Sequence, residues 1–143
     1  PTPSTGCALT EPEFAKKVKD LFHYGMDSER WQFEILKVGR HFRLDSETKV
    51  IVGRDAAENE YLTYLHPRGT TLLTPVNFAG PTALLIGPLT EERLESAGRM
   101  ILSYTKHRPA DPPQIQWEEN GVCKIFEVNS ALEEADVLSL RIT

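Results

Sequence analysis

Apolar residues recur along this chain in two rhythms, one close to helical spacing and one alternating, and the changes between them mark its elements. Phe14, Val18, Leu21 and Phe22 form one helical stripe. Thr10-Glu11-Pro12-Glu13 ahead of them is a start signal, with a capping threonine and a glutamate three residues on, and Gly25 is a stop. Trp31, Phe33 and Ile35 alternate with polar residues, which predicts a strand to about Val38, broken at Gly39. His41 to Leu44 and Lys49 to Val52, around the polar turn Asp45-Ser46-Glu47-Thr48, predict a β-hairpin. A second helix follows at once, capped by Asp55 with Glu58 three residues later. Its buried face is expected from Ala57, Tyr61, Leu62 and Leu65, and its end at Pro67-Arg68-Gly69.

Thr71 to Val76 and Ala83 to Ile86 are short apolar runs around Asn77-Phe78-Ala79-Gly80-Pro81, and read as buried strands. Thr90 caps a third helix with Leu94, Ala97, Ile101 and Tyr104 on its core stripe, and a proline-rich loop runs from Lys106 to Pro113. Ile115 to Glu118 and Val122 to Val128 flank Asn120-Gly121, whose residues suit a type I′ hairpin turn. Val137 to Ile142 is expected to be a last strand. Hairpins intermixed with about three helices predict a single α+β domain with a mixed or antiparallel sheet.

Composition changes this picture little: 40% hydrophobic and 26% charged residues in a chain of 143 fit one globular domain. No apolar run approaches the roughly 20 residues that span a bilayer, so no membrane partner is expected. Two cysteines far apart, Cys7 and Cys123, fit a reducing compartment and a cytoplasmic location. The opening Pro1-Thr2-Pro3-Ser4-Thr5 is linker-like, which predicts a linker over 1–9 from a preceding region and the domain over 10–143.

The net charge of −5 counts against indiscriminate nucleic-acid binding, but its distribution is uneven. Lys37, Arg40, Arg43, Lys49 and Arg54 lie within one stretch beside His41, opposed there only by Asp45 and Glu47. In Gly53-Arg54-Asp55, a strand ends and a helix begins, and the unpaired N–H groups of a first helical turn can hold a phosphate, with Arg54 as a bidentate donor. The competing reading is a plain capped turn, since Asp55 caps those groups itself. Alternation along β-structure puts Arg40 and Phe42 on one side and His41 and Arg43 on the other. These groups either grip phosphate and stack on a base, or leave Phe42 in the core and the arginines solvated or paired. Gly80 allows close approach of a ligand or another segment, or simply makes a turn. Catalytic and metal motifs are absent, so no cofactor is expected in this domain; Cys7, near a helix start, is the one speculative reactive group, with a small semi-buried role as its alternative.

Gly53-Arg54-Asp55-x-x-Glu58-Asn59-Glu60-x-Leu62-Thr63 resembles the signature of the NFACT-R family of RNA-binding domains, which usually reads Gly-Arg-Asn-x-x-Gln-Asn-Asp-x-Leu. Ala79 to Leu85 and the helix Leu94 to Tyr104 resemble two further family segments in the same order. Gly6 to Phe14 and Lys37 to Leu44 resemble a variant at the C-terminus of bacterial tRNA thiouridylase-like proteins, where an ATP-using PP-loop domain comes first. Two departures stand out. The family's Asp-x-Trp-x-His segment falls on Thr70 to Pro75 without those three residues, and Thr82 replaces a histidine. The resemblance implies an accessory domain for RNA, tRNA above all, in a tRNA-thiolating enzyme; it carries over Gly53, Arg54, Asn59 and Gly80, and the thiouridylase-like variant adds Arg40, His41 and Arg43, while side-chain chemistry alone adds Lys49 for phosphate and Phe42 for stacking. The alternatives are a protein-interaction or homodimerisation module, and a sulfur-transfer or metal accessory using Cys7.

Overall fold

The computed structural model describes residues 12–25 and 29–142. Cys7, with the roles expected of it, and the linker and capping threonine expected before residue 11, fall outside these residues. Six strands, β1 (Arg40–Asp45), β2 (Thr48–Val52), β3 (Thr70–Pro75), β4 (Ala83–Ile86), β5 (Gln114–Glu119) and β6 (Val122–Glu127), form one sheet in the order β1-β2-β4-β3-β5-β6. Every pairing is antiparallel, as the α+β expectation requires. Five α-helices accompany it among the described residues: α1 (Pro12–His23), α2 (Arg30–Glu34), α3 (Ala56–Leu65), α4 (Glu91–Ser103) and α5 (Glu134–Leu140).

Both faces of the sheet centre are covered. Phe42, Val50, Val52, Leu73 and Leu85 pack with Ala97, Met100 and Ile101 of α4 and Val137 of α5. On the other face Ile51, Leu72, Leu84 and Ile86 pack with Ile35 and with Leu62 of α3. Double coverage explains why β2 and β4 read as unbroken apolar runs rather than alternating ones. The β5–β6 turn takes φ of 49° at Asn120 and 82° at Gly121, the left-handed pair that a type I′ turn demands.

Three sequence expectations are corrected. The strand expected over 31–38 is helix α2 followed by a 3-10 turn, Ile35–Lys37. Local bonds favour the helix: Gln32 Oε1 accepts the Glu29 N–H at 2.8 Å, and Arg30 pairs with Glu34 one turn on. Ile35 and Leu36 are both buried, which alternation cannot provide. The strand expected over 137–142 is mostly α5, with three acids, Glu133, Glu134 and Asp136, around its first turn where the helix dipole favours them. Only the end of that segment meets the sheet, through a bridge from Arg141 to Phe42 and the bond from Ile142 N–H to the His41 carbonyl. Finally, Ala57 is exposed, and α3 buries Leu62 fully with Tyr61 and Leu65 partly covered.

Gly87 ends β4 at φ 127°, a conformation closed to L residues, and a Cβ there would stand 2.2 Å from the Glu47 carbonyl oxygen. We expect Gly87→Ala to destabilise the fold by about 2 kcal/mol or more, read from urea denaturation; an unchanged midpoint would contradict the close approach.

Candidate nucleic-acid interface

The junction of β2 and α3 is held from three sides. The Gly53 N–H donates to the Thr82 carbonyl at 3.0 Å, and the Thr82 N–H donates to Asn59 Oδ1 at 3.0 Å. A Cβ on Gly53 would lie 2.0 Å from that same Oδ1, so glycine is needed for Asn59 to reach across. Asp55 caps α3 by accepting the Glu58 N–H at 2.9 Å. The first turn of the helix therefore carries its own carboxylate cap, as the plain-turn reading had it.

Arg54 is likewise engaged. Its Nε and backbone N–H both donate to Glu58 Oε1 at 2.9 Å, and Nη2 donates to Oε2 at 2.7 Å. Glu58 also accepts the Gly39 N–H, so one carboxylate ties the start of β1 to the start of α3. The Arg54 guanidinium above all, helped by the N–H groups of Gly39 and Arg54, pulls the Glu58 pKa from 4.5 down to about 2.

Alternation along β1 runs as expected, but the side chains are less available than expected. Phe42 is wholly buried against α4, its ring 6.1 Å from that of Tyr104. His41 is 1% exposed, with Nε2 at 3.1 and 2.9 Å from the carbonyls of Ile35 and Val38. Burial, and then the charges of Lys49 and Lys17, hold its pKa well below the ordinary range, so the ring is neutral. Stacking of a base on His41 or Phe42 is thus not open in this fold. Arg43 grips Asp20 of α1 through Nε at 3.1 Å and through a second, shorter contact from Nη2, and lies over the Tyr24 ring. Lys49 is 1% exposed, and burial lowers its pKa to about 8 despite the nearby Asp20. Arg43 fastens α1 to the sheet, and Lys49 lies buried beside Asp20 rather than facing solvent. Gly80 packs where a Cβ would be 2.7 Å from Thr105 Oγ1 and 2.9 Å from the Phe78 ring, the close approach of a neighbouring segment.

Lys37, Arg40 and Arg54 of the basic stretch reach the surface, and Lys17 and Arg141 join them at the same end. Lys17 Nζ donates to the Leu36 carbonyl at 3.2 Å, and Arg54 Nη2 approaches the Lys37 carbonyl at 3.5 Å. Burial lowers the Lys17 pKa, and Arg54 and Arg141 lower it further against the opposing pull of Glu13 and Glu58. Lys17, Arg54 and Arg141 are therefore electrostatic neighbours. Arg40, at the start of β1, rests its guanidinium 4.3 Å from the centre of the Tyr104 ring. Lys37, Arg40 and Arg141 make no ion pair among the described residues, whereas Arg30, Arg43, Arg54 and Arg93 do. Lys17 and Arg141 were not foreseen, because 123 intervening residues separate them and no local pattern joins them. Glu13, Asp55 and Glu58 lie among these cations, and further exposed acids are Glu91, Glu92 and Glu95 on α4 and Glu127 on β6. No group of three or more potential metal ligands occurs among the described residues.

Residues 39–137 match the sequence family described as the NFACT protein RNA binding domain. No curated protein sequence matches the chain. Among solved structures, the C-terminal part of the fibronectin/fibrinogen-binding protein from Streptococcus suis is similar in fold, with a TM-score of 0.59 at 18% identity. The alignment covers 91% of this chain and 60% of that one, so this chain spans about three fifths of the related structure.

Glu58 makes the joint sensitive to acid. Its folded pKa of about 2 lies below the ordinary 4.5, so as pH falls the unfolded chain takes up the proton first. Its contribution is complete above about pH 4.5 and lost as pH drops toward 2. Denaturation curves should show Glu58→Gln less stable than the natural chain near neutrality, with the gap closing across that window. A gap independent of pH would contradict the charged joint.

Proposed function

The chain belongs to the NFACT protein RNA binding domain family, and from that premise we propose that it is an accessory module gripping transfer RNA through the basic end of its sheet. The observation that carries this reading is the group of cations Lys17, Lys37, Arg40 and Arg141 around β1 and the β2–α3 junction. Three of them have no carboxylate partner among the described residues, in a chain of net charge −5. Unneutralised cations gathered on one surface suit a phosphate backbone, and Glu91 and Glu92, beside Asp45 at the far end of β1, would keep RNA from that end. Arg54 adds field there while its fork stays on Glu58.

Support for tRNA, and for a cytoplasmic ATP-using thiolation enzyme as the parent, comes from Gly6 to Phe14 and Lys37 to Leu44, which resemble the thiouridylase-like variant. In such a parent the chemistry and the nucleotide site would lie in the other domain, and this one would position the RNA. A second reading, self-association, is favoured by one feature: β6 is an edge strand, and its Val122 and Ile125 are 50% and 55% exposed.

Titration of the chain into labelled tRNA at several salt concentrations separates the two. We expect binding that weakens steeply with salt. A variant with Lys37, Arg40 and Arg141 changed to Ala should bind about tenfold or more weakly, with a salt slope shallower by about 2. Tight binding by that variant, or a concentration-dependent mass without RNA affinity, would contradict the reading.

A further inference from the structure

Buried beneath the basic end, the His41 ring has one hydrogen-bonding task. Its Nε2 stands 3.1 Å from the Ile35 carbonyl and 2.9 Å from the Val38 carbonyl. Both partners only accept, so Nε2 carries the hydrogen and donates across the 3-10 turn. The carbonyls between them are also taken: Lys17 Nζ donates to Leu36 at 3.2 Å, and Arg54 Nη2 approaches Lys37 at 3.5 Å. Every carbonyl from Ile35 to Val38 therefore meets a donor from another element, and the exposed Lys37 rides on the turn they fix. The main chain of His41 serves the same end of the sheet. Its carbonyl accepts the Ile142 N–H at 2.9 Å, the bond that seats Arg141 beside β1 together with the bridge from Arg141 to Phe42.

The ring's surroundings reject a charge. Nδ1 is buried with no hydrogen-bond partner among the described residues, so a second N–H would find no acceptor. The charges that act on the ring are Lys49 from β2 and Lys17 from α1, both positive. Asp20 of α1 lies beside Lys49, and Glu58 of α3 is spent on Arg54 and the Gly39 N–H. Lys37 on the turn and Arg141 on the C-terminal segment add further positive charge on the remaining sides. The clamp therefore works only with the ring uncharged.

We propose that His41 is the positioning residue of the RNA face, its ring pinning the 3-10 turn and its carbonyl the C-terminal segment, so that Lys37 and Arg141 meet phosphate together. The proposal rests on the RNA-binding reading and names the residue on which that face depends. A buried side chain that touches no RNA controls contacts made by cations brought from separate parts of the chain.

The test titrates labelled tRNA, at several salt concentrations, into the natural chain and four variants. These are His41→Leu, His41→Gln, the Lys37→Ala/Arg141→Ala double variant, and that double variant with His41→Leu added. Leucine removes the donor, whereas glutamine offers an amide nitrogen with one hydrogen for each carbonyl and does not titrate. His41→Leu should weaken binding about tenfold and make the salt slope shallower by about 1, although it removes no charge. His41→Gln should recover binding to within about threefold of the natural chain, and His41→Leu should cost less than about twofold more in the double variant. A merely structural role would leave the salt slope unchanged and add its full cost to the double variant. Amide exchange in the free chain gives a second readout. As pH falls below 6.5, the opened corner takes up the His41 proton before the closed one does. Protection of the Val38 and Ile142 amides, corrected for intrinsic rate, should then drop by up to about tenfold per pH unit down to about pH 5.5, and hold steady in His41→Gln. That range lies above the one in which Glu58 titrates. Equal pH dependence in the two chains would overturn the proposal, even where His41→Leu fails to fold. If the double variant weakens binding while His41→Leu keeps the natural affinity and salt slope, RNA binding stands and the proposal falls. Absence of tRNA binding by the natural chain overturns both.

Discussion

The Glu58 carboxylate sits where three parts of the molecule come together, and much else follows from its position. It accepts N–H groups from Gly39 before β1 and from Arg54 before α3, and holds the Arg54 guanidinium flat against itself. Beside it, Asn59 bonds across to Thr82 and needs a glycine at 53 to do so. Because both side chains come from the first turn of α3, the start of that helix is tied to β1 through Gly39 and to the start of β4 through Thr82. A charged hydrogen bond network of this kind is stronger than its neutral equivalent and sets geometry as well as stability.

The same network decides which cations remain for a ligand. Arg54 and the helix N-terminus would have formed a phosphate site had Glu58 and Asp55 not filled it. Arg43 is turned onto Asp20 of α1, and Lys49 is buried nearby. The remaining cations line the outer edge of β1, where the C-terminal segment brings Arg141 and α1 brings Lys17. Folding therefore concentrates positive charge at one end of a chain that is acidic in sum. Such a surface steers and orients a polyanion without binding one everywhere.

How much of this was legible in the sequence depended on whether the signal was local. Gly53-Arg54-Asp55 showed its strand end, its helix start and its cap, because each is specified within a few residues. The Asn120-Gly121 hairpin was legible for the same reason. Trp31-x-Phe33-x-Ile35 imitated a strand because five residues of helix and a 3-10 turn are too short to show a period of 3.6. The last segment was misread likewise, since Val137 and Leu140 lie one helical turn apart within a seven-residue helix. For the site, sequence placed the basic stretch correctly but not its exposure. His41, Phe42 and Lys49 are buried by α1, α4 and the 3-10 turn, which pack from distant parts of the chain. Lys17 and Arg141 join the cluster for the same non-local reason.

The proposed RNA face is the β1 edge of the sheet. Amide hydrogen exchange, followed by mass spectrometry with and without saturating tRNA, tests it without altering any residue. RNA bound there should slow exchange at 37–41, across the β2–α3 turn at 53–58 and near Arg141, with β5 and β6 unchanged. Protection confined to β6, or none at any segment while tRNA is demonstrably bound to the natural chain, would contradict it.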